Sequence, residues 1–247
     1  VSVPYGMVFS VSVDNMYSRG PHFYIYVIMY LGAILYLSIS TIITAREFQN
    51  RSRILIYPLI LFVMVETVIQ VALPELHVTW LCVTLLSVLY FIYCNEMWNQ
   101  LDALTGLLNQ NSYLNQTQKI KYNSGVLVVF DVDDFKQIND RYGHIQGDLC
   151  LAGIAECIKK SYANFGYCYR IGGDEFCVLL KNGGNEGRCK QEFLQRLQEK
   201  RGEIAFLPTV SYGSAPFSGE DIVKVKDRAD QDMYQYKKER KNRKRLS

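Results

Sequence analysis

Histidine is scarce in this chain, with three among 247 residues. That scarcity excludes a histidine-based metal centre. The seven cysteines, at 82, 94, 150, 157, 168, 177 and 189, show no Cys-x-x-Cys spacing, which also excludes a zinc site and a disulfide framework. Cys150, Cys157, Cys168 and Cys177 fall among apolar neighbours and read as small core residues in a reducing compartment. Charge is equally sparse over residues 1–93, which hold four basic side chains (Arg19, Arg46, Arg51, Arg53) and four acidic ones (Asp14, Glu47, Glu66, Glu75). Residues 94–247 carry the other 23 of 27 basic and 20 of 24 acidic residues, so an apolar region precedes a soluble one. No repeat is present, and no stretch rich in Gly, Pro or Ser marks a linker after Tyr93. The net charge of +3 is close to balance, and no nucleic-acid partner is expected. The surplus sits in the run from Lys237 to Arg245. That run is either a solvated tail or a segment lying on lipid headgroups or phosphates.

What residues 1–93 do have is long apolar runs. Phe23 to Ile43 and Ile54 to Leu73 are of the length that crosses a bilayer, about 20 residues, and Val78 to Tyr93 is a shorter third. A signal peptide has one such run, and a shorter one. The chain begins at Val1 without methionine, inside an apolar stretch. It is therefore expected to be a fragment of a longer membrane protein, with residues 1–13 the end of a further span. The loop from Ala45 to Arg53 carries three arginines, and the loop from Pro74 to His77 carries no Lys or Arg. Positive loops stay in the cytoplasm, which places everything after Cys94 there. Glu66 is the one acid within a span. Two readings stand for it: a functional carboxylate, or a helix-packing hydrogen bond with Gln70.

From Cys94 to Leu114, Met97, Leu101, Leu104 and Leu108 recur at helical spacing. The spacing predicts a connecting helix, with a break near Thr105-Gly106, running rigidly into the soluble domain of residues 115–247. In that domain the pattern predicts strands at Gly125 to Phe130, Phe165 to Ile171, Phe176 to Leu180 and Ile204 to Tyr212. It predicts helices over Asp134 to Arg141, Gln146 to Tyr162, Glu186 to Arg201 and Asp221 to Arg240, with a loop at 182–185. This order gives an α+β sandwich, one sheet covered by helices.

The stretch with most chemistry is Arg170-Ile171-Gly172-Gly173-Asp174-Glu175-Phe176. Two glycines between short apolar runs predict a hairpin with a type I′ turn, which needs positive φ at both. Two carboxylates at its tip would repel unless a cation lies beside them, although a solvated turn is the plain alternative. Asp131, at the end of the first strand, opens Asp131-Val132-Asp133-Asp134. If that strand pairs beside the hairpin, Asp131 and Asp174 meet across the sheet with Glu175 adjacent, a hard oxygen site suited to Mg²⁺ shared with phosphates. Asp133 and Asp134 read as helix caps. Lys237 and Lys241 share one face of the last helix, either docked at the sheet edge or solvated.

The Arg170–Phe176 block resembles the signature of GGDEF-domain diguanylate cyclases. Three further blocks agree in order and spacing: Asp102 to Asn109; Phe130 to Asp140 with Gly143-His144 and Gly147-Asp148; and Ala229-Asp230, Met233-Tyr234, Lys237 and Asn242. The likeness runs over about residues 95–245. It implies a palm-like, nucleotidyl-cyclase-like sheet and condensation of two GTP into cyclic di-GMP by a homodimer. Carried over residue by residue, Asp131, Asp174, Glu175 and the carbonyl of Val132 would hold Mg²⁺ or Mn²⁺. Glu175 and Asp174 would serve catalysis, with Glu175 assisting deprotonation of the 3′-hydroxyl. Asn139 and Asp148 would read guanine, and Lys136, Lys237, Lys241 and Phe135 would line the substrate site. An acceptor carboxylate at Asp148 matches donors that guanine has and adenine lacks, which favours GTP over ATP. The apolar region resembles, more weakly, a multi-pass sensor. Ala163 and Gly166 stand where the family often carries an Arg-x-x-Asp product-inhibition pair, Gln110 replaces an arginine, and Lys241 stands where arginine is common. The other reading is a catalytically silent GTP-binding module that relays a signal.

Overall fold

The computed structural model describes residues 7–12, 17–47, 56–72, 79–118, 124–181 and 185–246, in two compact units, Val1–Glu96 and Met97–Ser247. In the first unit β1 (Phe9–Val11) pairs antiparallel with β2 (Tyr17–Arg19), Ser10 opposite Ser18. The expectation of a helical span end over residues 1–13 is thereby corrected at Phe9–Val11; residues 1–6 lie outside the described residues. Three helices, α1 (Phe23–Glu47), α2 (Ile56–Ala72) and α3 (Thr79–Trp98), occupy the three apolar runs. Among the described residues one window, Leu81–Trp98, is long and apolar enough to cross a membrane. Of the loop that sets the expected orientation, Ala45–Glu47 continue α1, while Arg51 and Arg53 lie outside the described residues, as does the loop from Pro74 to His77. Glu66 is buried, and its Oε2 accepts a hydrogen bond from the Tyr30 hydroxyl on α1 at 3.1 Å. This acid therefore pins two helices together through a tyrosine. The side chain of Gln70, its expected partner, lies outside the described residues.

The connecting helix expected over 94–114 ends at Trp98. Residues 101–109 instead fold back on themselves: Leu101 bridges Leu108, Leu108 runs beside Tyr169, and the Asp102 amide donates to the Leu107 carbonyl at 2.8 Å. The cause is local. Asp102 Oδ1 accepts from the Thr105 amide and hydroxyl at 2.9 and 2.6 Å, and Gly106 takes φ +64°, so the backbone has partners that compete with a helix. The spaced leucines serve a turn that buries Leu107 and Leu108. The folded unit thus starts at Met97 rather than at residue 115.

After α4 (Gln110–Thr117), the second unit runs β3 (Ser124–Val132), α5 (Phe135–Tyr142), α6 (His144–Tyr162), β4 (Gly166–Arg170), β5 (Glu175–Lys181), α7 (Glu186–Glu203), β6 (Val210–Ser218) and α8 (Ile222–Leu246). The sheet is wholly antiparallel, in the order β4-β5-β3-β6. β3 reads as a continuous apolar run because both its faces are covered. Val126, Val128, Phe130 and Val132 pack with Leu151, Ile154 and Phe193 of α6 and α7; Leu127 and Val129 join Tyr169, Leu179, Val225 and Ala229 on the α8 side. Phe130 meets Tyr162 and Phe193 edge to face, with centroids 5.7 and 5.1 Å apart. Burying each such side chain is worth about 1.5–3 kcal/mol, and the edge-on pairing adds about 0.5–1.5 kcal/mol. Cys150, Cys157, Cys168 and Cys177 are buried free thiols, as their neighbours in sequence imply.

The strand expected at Ile204–Tyr212 is displaced to Val210–Ser218. Ile204 and Leu207 are buried in the α6–α7 core, but Pro208 precedes the ladder, which begins only at Val210 opposite Val132. α8 then packs hard on β6. A Cβ on Gly213 would lie 2.2 Å from the Ala229 carbonyl and the Met233 amide, so glycine alone allows this approach. The Ser214 amide donating to Asp232 at 2.9 Å fixes the register.

α6 and α7 are clasped by Glu156, whose oxygens meet Lys160 at 2.6 Å and Lys200 at 2.7 Å. The hydrogen bond from Lys160, then that from Lys200, bring its pKa down to about 2. A depressed carboxylate stabilises the fold above its unfolded value, about 4.3, and loses that contribution as pH falls toward 2. Urea unfolding between pH 5 and 2 should therefore show an acid-induced loss of stability that is shallower in Glu156→Gln. Identical slopes in the two proteins would contradict the assignment.

Candidate active site

The hairpin tip is not the turn that its glycines predict. Neither Gly172 nor Gly173 adopts a left-handed φ. Residues 171–174 form a wider loop in which the Ile171 and Gly172 amides both donate to the Glu175 carbonyl, at 3.0 and 3.3 Å. Arg170 holds it from beneath: Nε and Nη2 donate to the Gly173 carbonyl at 3.3 and 2.8 Å, and Nη1 to Asp102 Oδ1 at 3.0 Å. Burial works against the Asp102 carboxylate, but hydrogen bonds from Thr105 and Arg170 outweigh it and hold its pKa below the ordinary value. One side chain therefore ties the fold-back at 102–109 to the tip. A Cβ on Gly173 would meet nothing within 4 Å, so the tip faces open space.

Asp131 pairs with Glu175 in the β3–β5 ladder rather than with Asp174. Residues directly opposite one another project on one face. Asp174 instead contributes its backbone, accepting from the Val132 amide at 3.1 Å. Asp131 Oδ2 is met by Lys237 of α8 at 2.5 Å. Burial alone would lower the Lys237 pKa, yet its contacts with Asp131 and Asp133 raise it.

Asp134 occupies the N-cap position of α5 but its side chain does not cap, and Asp133 is not at the cap position. Asp134 sits at φ 56° with no side-chain cap hydrogen bond. Asp133 is buried, accepting from Ser211 at 2.8 Å, from Thr209 at 3.0 Å and from Arg240 of α8. Its pKa is lowered, because the Arg240 and Ser211 hydrogen bonds exceed the opposing effect of burial. The motif reading missed Asp133, Arg240 and the Arg170–Asp102 pair. The signals were there: Asp133 shares strand parity with Asp131, and Arg240 lies three residues after Lys237 on the same helix face.

Elsewhere in the unit, α5 and α6 bring Asn139 onto Gly147. The Asn139 amide oxygen is buried and without a hydrogen-bond partner among the described residues. Asp148 and Lys136 are exposed, and Phe135 is half-buried against the core. Lys241 lies on α8, but its side chain is outside the described residues. Among the described residues no three His, Cys, Asp or Glu side chains converge as a ready-made metal site. The available donors are nonetheless all oxygens, with Asp131 and Glu175 on one face and Asp174 beside them. That chemistry fits a hard divalent cation once Lys237 releases Asp131.

The family model described as "Diguanylate cyclase, GGDEF domain" matches residues 99–243, more than half of the chain. The chain belongs to the GGDEF family. It is 30% identical over 151 residues to the probable diguanylate cyclase DgcJ of Escherichia coli K12, and 35% identical over 159 residues to the diguanylate cyclase DgcP of Pseudomonas aeruginosa. These matches cover 58% of this chain but 30% and 23% of those proteins, so the GGDEF chain spans less than a third of either relative. The diguanylate cyclase SiaD of Pseudomonas aeruginosa, solved with its activator SiaC, superposes with TM-score 0.53 over 87% of this chain and 84% of that one. At 24% identity that likeness speaks for the fold. The α+β sandwich expected from the sequence is this fold.

Proposed function

We propose that this GGDEF chain is a membrane-anchored diguanylate cyclase that condenses two GTP into cyclic di-GMP and two pyrophosphates. What supports the reading is Asp131 paired with Glu175 on one face beside Asp174, together with a buried Asn139 amide oxygen that has no partner among the described residues and lies against Gly147, next to Asp148. The first set suits the charge of a cation-bound triphosphate and the second the hydrogen-bonding edge of a purine. Asp131, Asp174, Glu175 and the Val132 carbonyl would hold Mg²⁺ or Mn²⁺, which when bound neutralises charge on the phosphates. The 3′-hydroxyl oxygen of one GTP attacks the α-phosphorus of the other. The α–β bond breaks, pyrophosphate leaves, and the hydroxyl proton passes to Glu175. Lys237 and Lys241 offset charge on the triphosphate, Lys136 contributes from α5, and Phe135, on the same helix, lines the substrate site. The same transfer in the opposite sense closes the ring. Each domain holds one GTP, so two chains must meet face to face in a C2 homodimer. Exposed Ile28, Leu35, Leu61, Leu81 and Phe91 on α1–α3 support lipid contact, with the catalytic unit in the cytoplasm.

Feedback through an Arg-x-x-Asp pair is not expected. Ala163 and Gly166 occupy those positions, and a Cβ on Gly166 would lie 2.3 Å from the Leu179 carbonyl. Added cyclic di-GMP should leave the initial rate unchanged, and inhibition at micromolar product would contradict this.

Selectivity tests the purine assignment. The full chain in detergent should consume GTP and spare ATP, because adenine offers Asp148 no N1–H donor. Equal turnover of both would sink the assignment. A Cβ on Gly147 would sit 1.9 Å from the Asn139 amide oxygen. Gly147→Ala should therefore swing that flexible amide aside and raise KM for GTP about fivefold, the worth of one hydrogen bond of about 1 kcal/mol. An unchanged KM would remove Asn139 from the site.

A further inference from the structure

Asp133 is the centre of a network that the reaction does not directly use. Its Oδ1 accepts from Ser211 at 2.8 Å and lies 3.3 Å from Lys237 Nζ. Its Oδ2 accepts from Thr209 at 3.0 Å and from Arg240. The Arg240 fork is spent there as well: Nη2 also donates to Thr209 Oγ1 at 2.7 Å, and Nη1 to the Val210 carbonyl at 3.2 Å. Both terminal nitrogens of that guanidinium are thereby engaged. One turn earlier on α8, Lys237 bridges Asp131 at 2.5 Å and Asp133 at 3.3 Å. A flexible lysine is thereby held at one point by two carboxylates, of which only Asp131 belongs to the cation site. When Asp131 turns to a metal, Asp133 is the contact that keeps the ammonium in reach.

We propose that Asp133 and Arg240 are positioning residues, which fix α8 to the end of β3 and set the Lys237 ammonium where it passes from Asp131 to a substrate phosphate. The proposal rests on Lys237 as a phosphate contact, but the arrangement itself can be read without nucleotide. A fork anchored at Asp133, Thr209 and Val210 fixes the helix in direction and rotation, which a single lysine contact would not do. Positioning of this kind acts on the group it places: misplacement by about 1 Å can cost a large factor in rate.

The experiment uses the full chain in detergent and has two arms. In the first, reductive methylation of Lys237 is followed by mass spectrometry, with exposed Lys238 as internal reference. Lys237 should react several-fold more slowly than Lys238 in the wild type. It should lose most of that protection in Asp133→Asn and Arg240→Gln, and regain it in part in Arg240→Lys, which keeps the charge. In the second arm, Arg240→Gln should raise KM for GTP about fivefold with a smaller change in kcat, and should add less than twofold in a Lys237→Gln background. The proposal is overturned if folded Asp133→Asn and Arg240→Gln leave Lys237 protected. It is equally overturned if the Arg240→Gln penalty is undiminished without Lys237, the signature of a merely structural pair. Should the chain bind no GTP, the phosphate role of Lys237 fails while the methylation arm still decides the positioning pair. If Asp133→Asn does not fold, the Arg240 variants carry both arms.

Discussion

Replacing Asp174 and Glu175 together by alanine should lower cyclic di-GMP formation by at least about 10³-fold, on the scale of several kcal/mol of charge stabilisation lost from the transition state. The fold should hardly notice. Glu175 is exposed, and the structural role of Asp174 is its carbonyl, which the Val132 amide reaches whatever the side chain. Changes at such positions usually stay within about 0.5 kcal/mol. Melting temperature and product mass spectrometry on one preparation separate the two effects. An active double variant would show that the tip carboxylates are not the site. A variant that melts early would show that they hold the loop.

The opposite profile is expected at Asp133. Asp133→Ala removes the buried carboxylate that meets Ser211, Thr209, Lys237 and Arg240, and leaves Arg240 without its counter-charge. Removing one member of a buried pair costs about 3–5 kcal/mol. Arg240 keeps a quarter of its side chain in water, so about 2–3 kcal/mol is the better figure here. For a domain of this size that lowers the melting temperature by about 5–10 °C. Urea denaturation gives the same quantity independently. A loss under about 0.5 kcal/mol would mean that the network is replaceable by solvent.

The elements that the sequence made readable are those in which local pattern and burial agree. β3 announces itself because an antiparallel strand covered on both faces needs an unbroken apolar run, and α6 follows because its apolar stripe has no competing backbone partner. The connecting helix failed for the converse reason. Met97, Leu101, Leu104 and Leu108 do recur at helical spacing, but Asp102 supplies a side-chain acceptor three residues before Thr105, and Gly106 accepts a left-handed φ. The strand placed at Ile204 failed because its residues are buried without being on the ladder, which apolar content cannot distinguish. Gly172-Gly173 pointed to the right place by the wrong turn, since the loop takes its shape from the Arg170 fork 68 positions away from its Asp102 partner.

The site divides in the same way. Asp131 and the tip acids stand out because paired carboxylates at strand ends are costly without a cation. That Asp131 faces Glu175 rather than Asp174 depends on ladder register, and one residue of slip would reverse it. Asp133 read as a cap because Asp before a helix commonly is one. Its real partners lie 76 to 107 positions away, where local spacing gives no hint.

The central claim is a bond-forming reaction between two GTP molecules, and product stoichiometry tests it most directly. The full chain in detergent, given GTP and Mg²⁺, should yield cyclic di-GMP and pyrophosphate in a ratio of one to two by mass spectrometry and phosphate analysis. The rate should rise more steeply than linearly with protein concentration, as half-sites on two chains require. GDP and inorganic phosphate as the products, or bound GTP that never turns over, would contradict it.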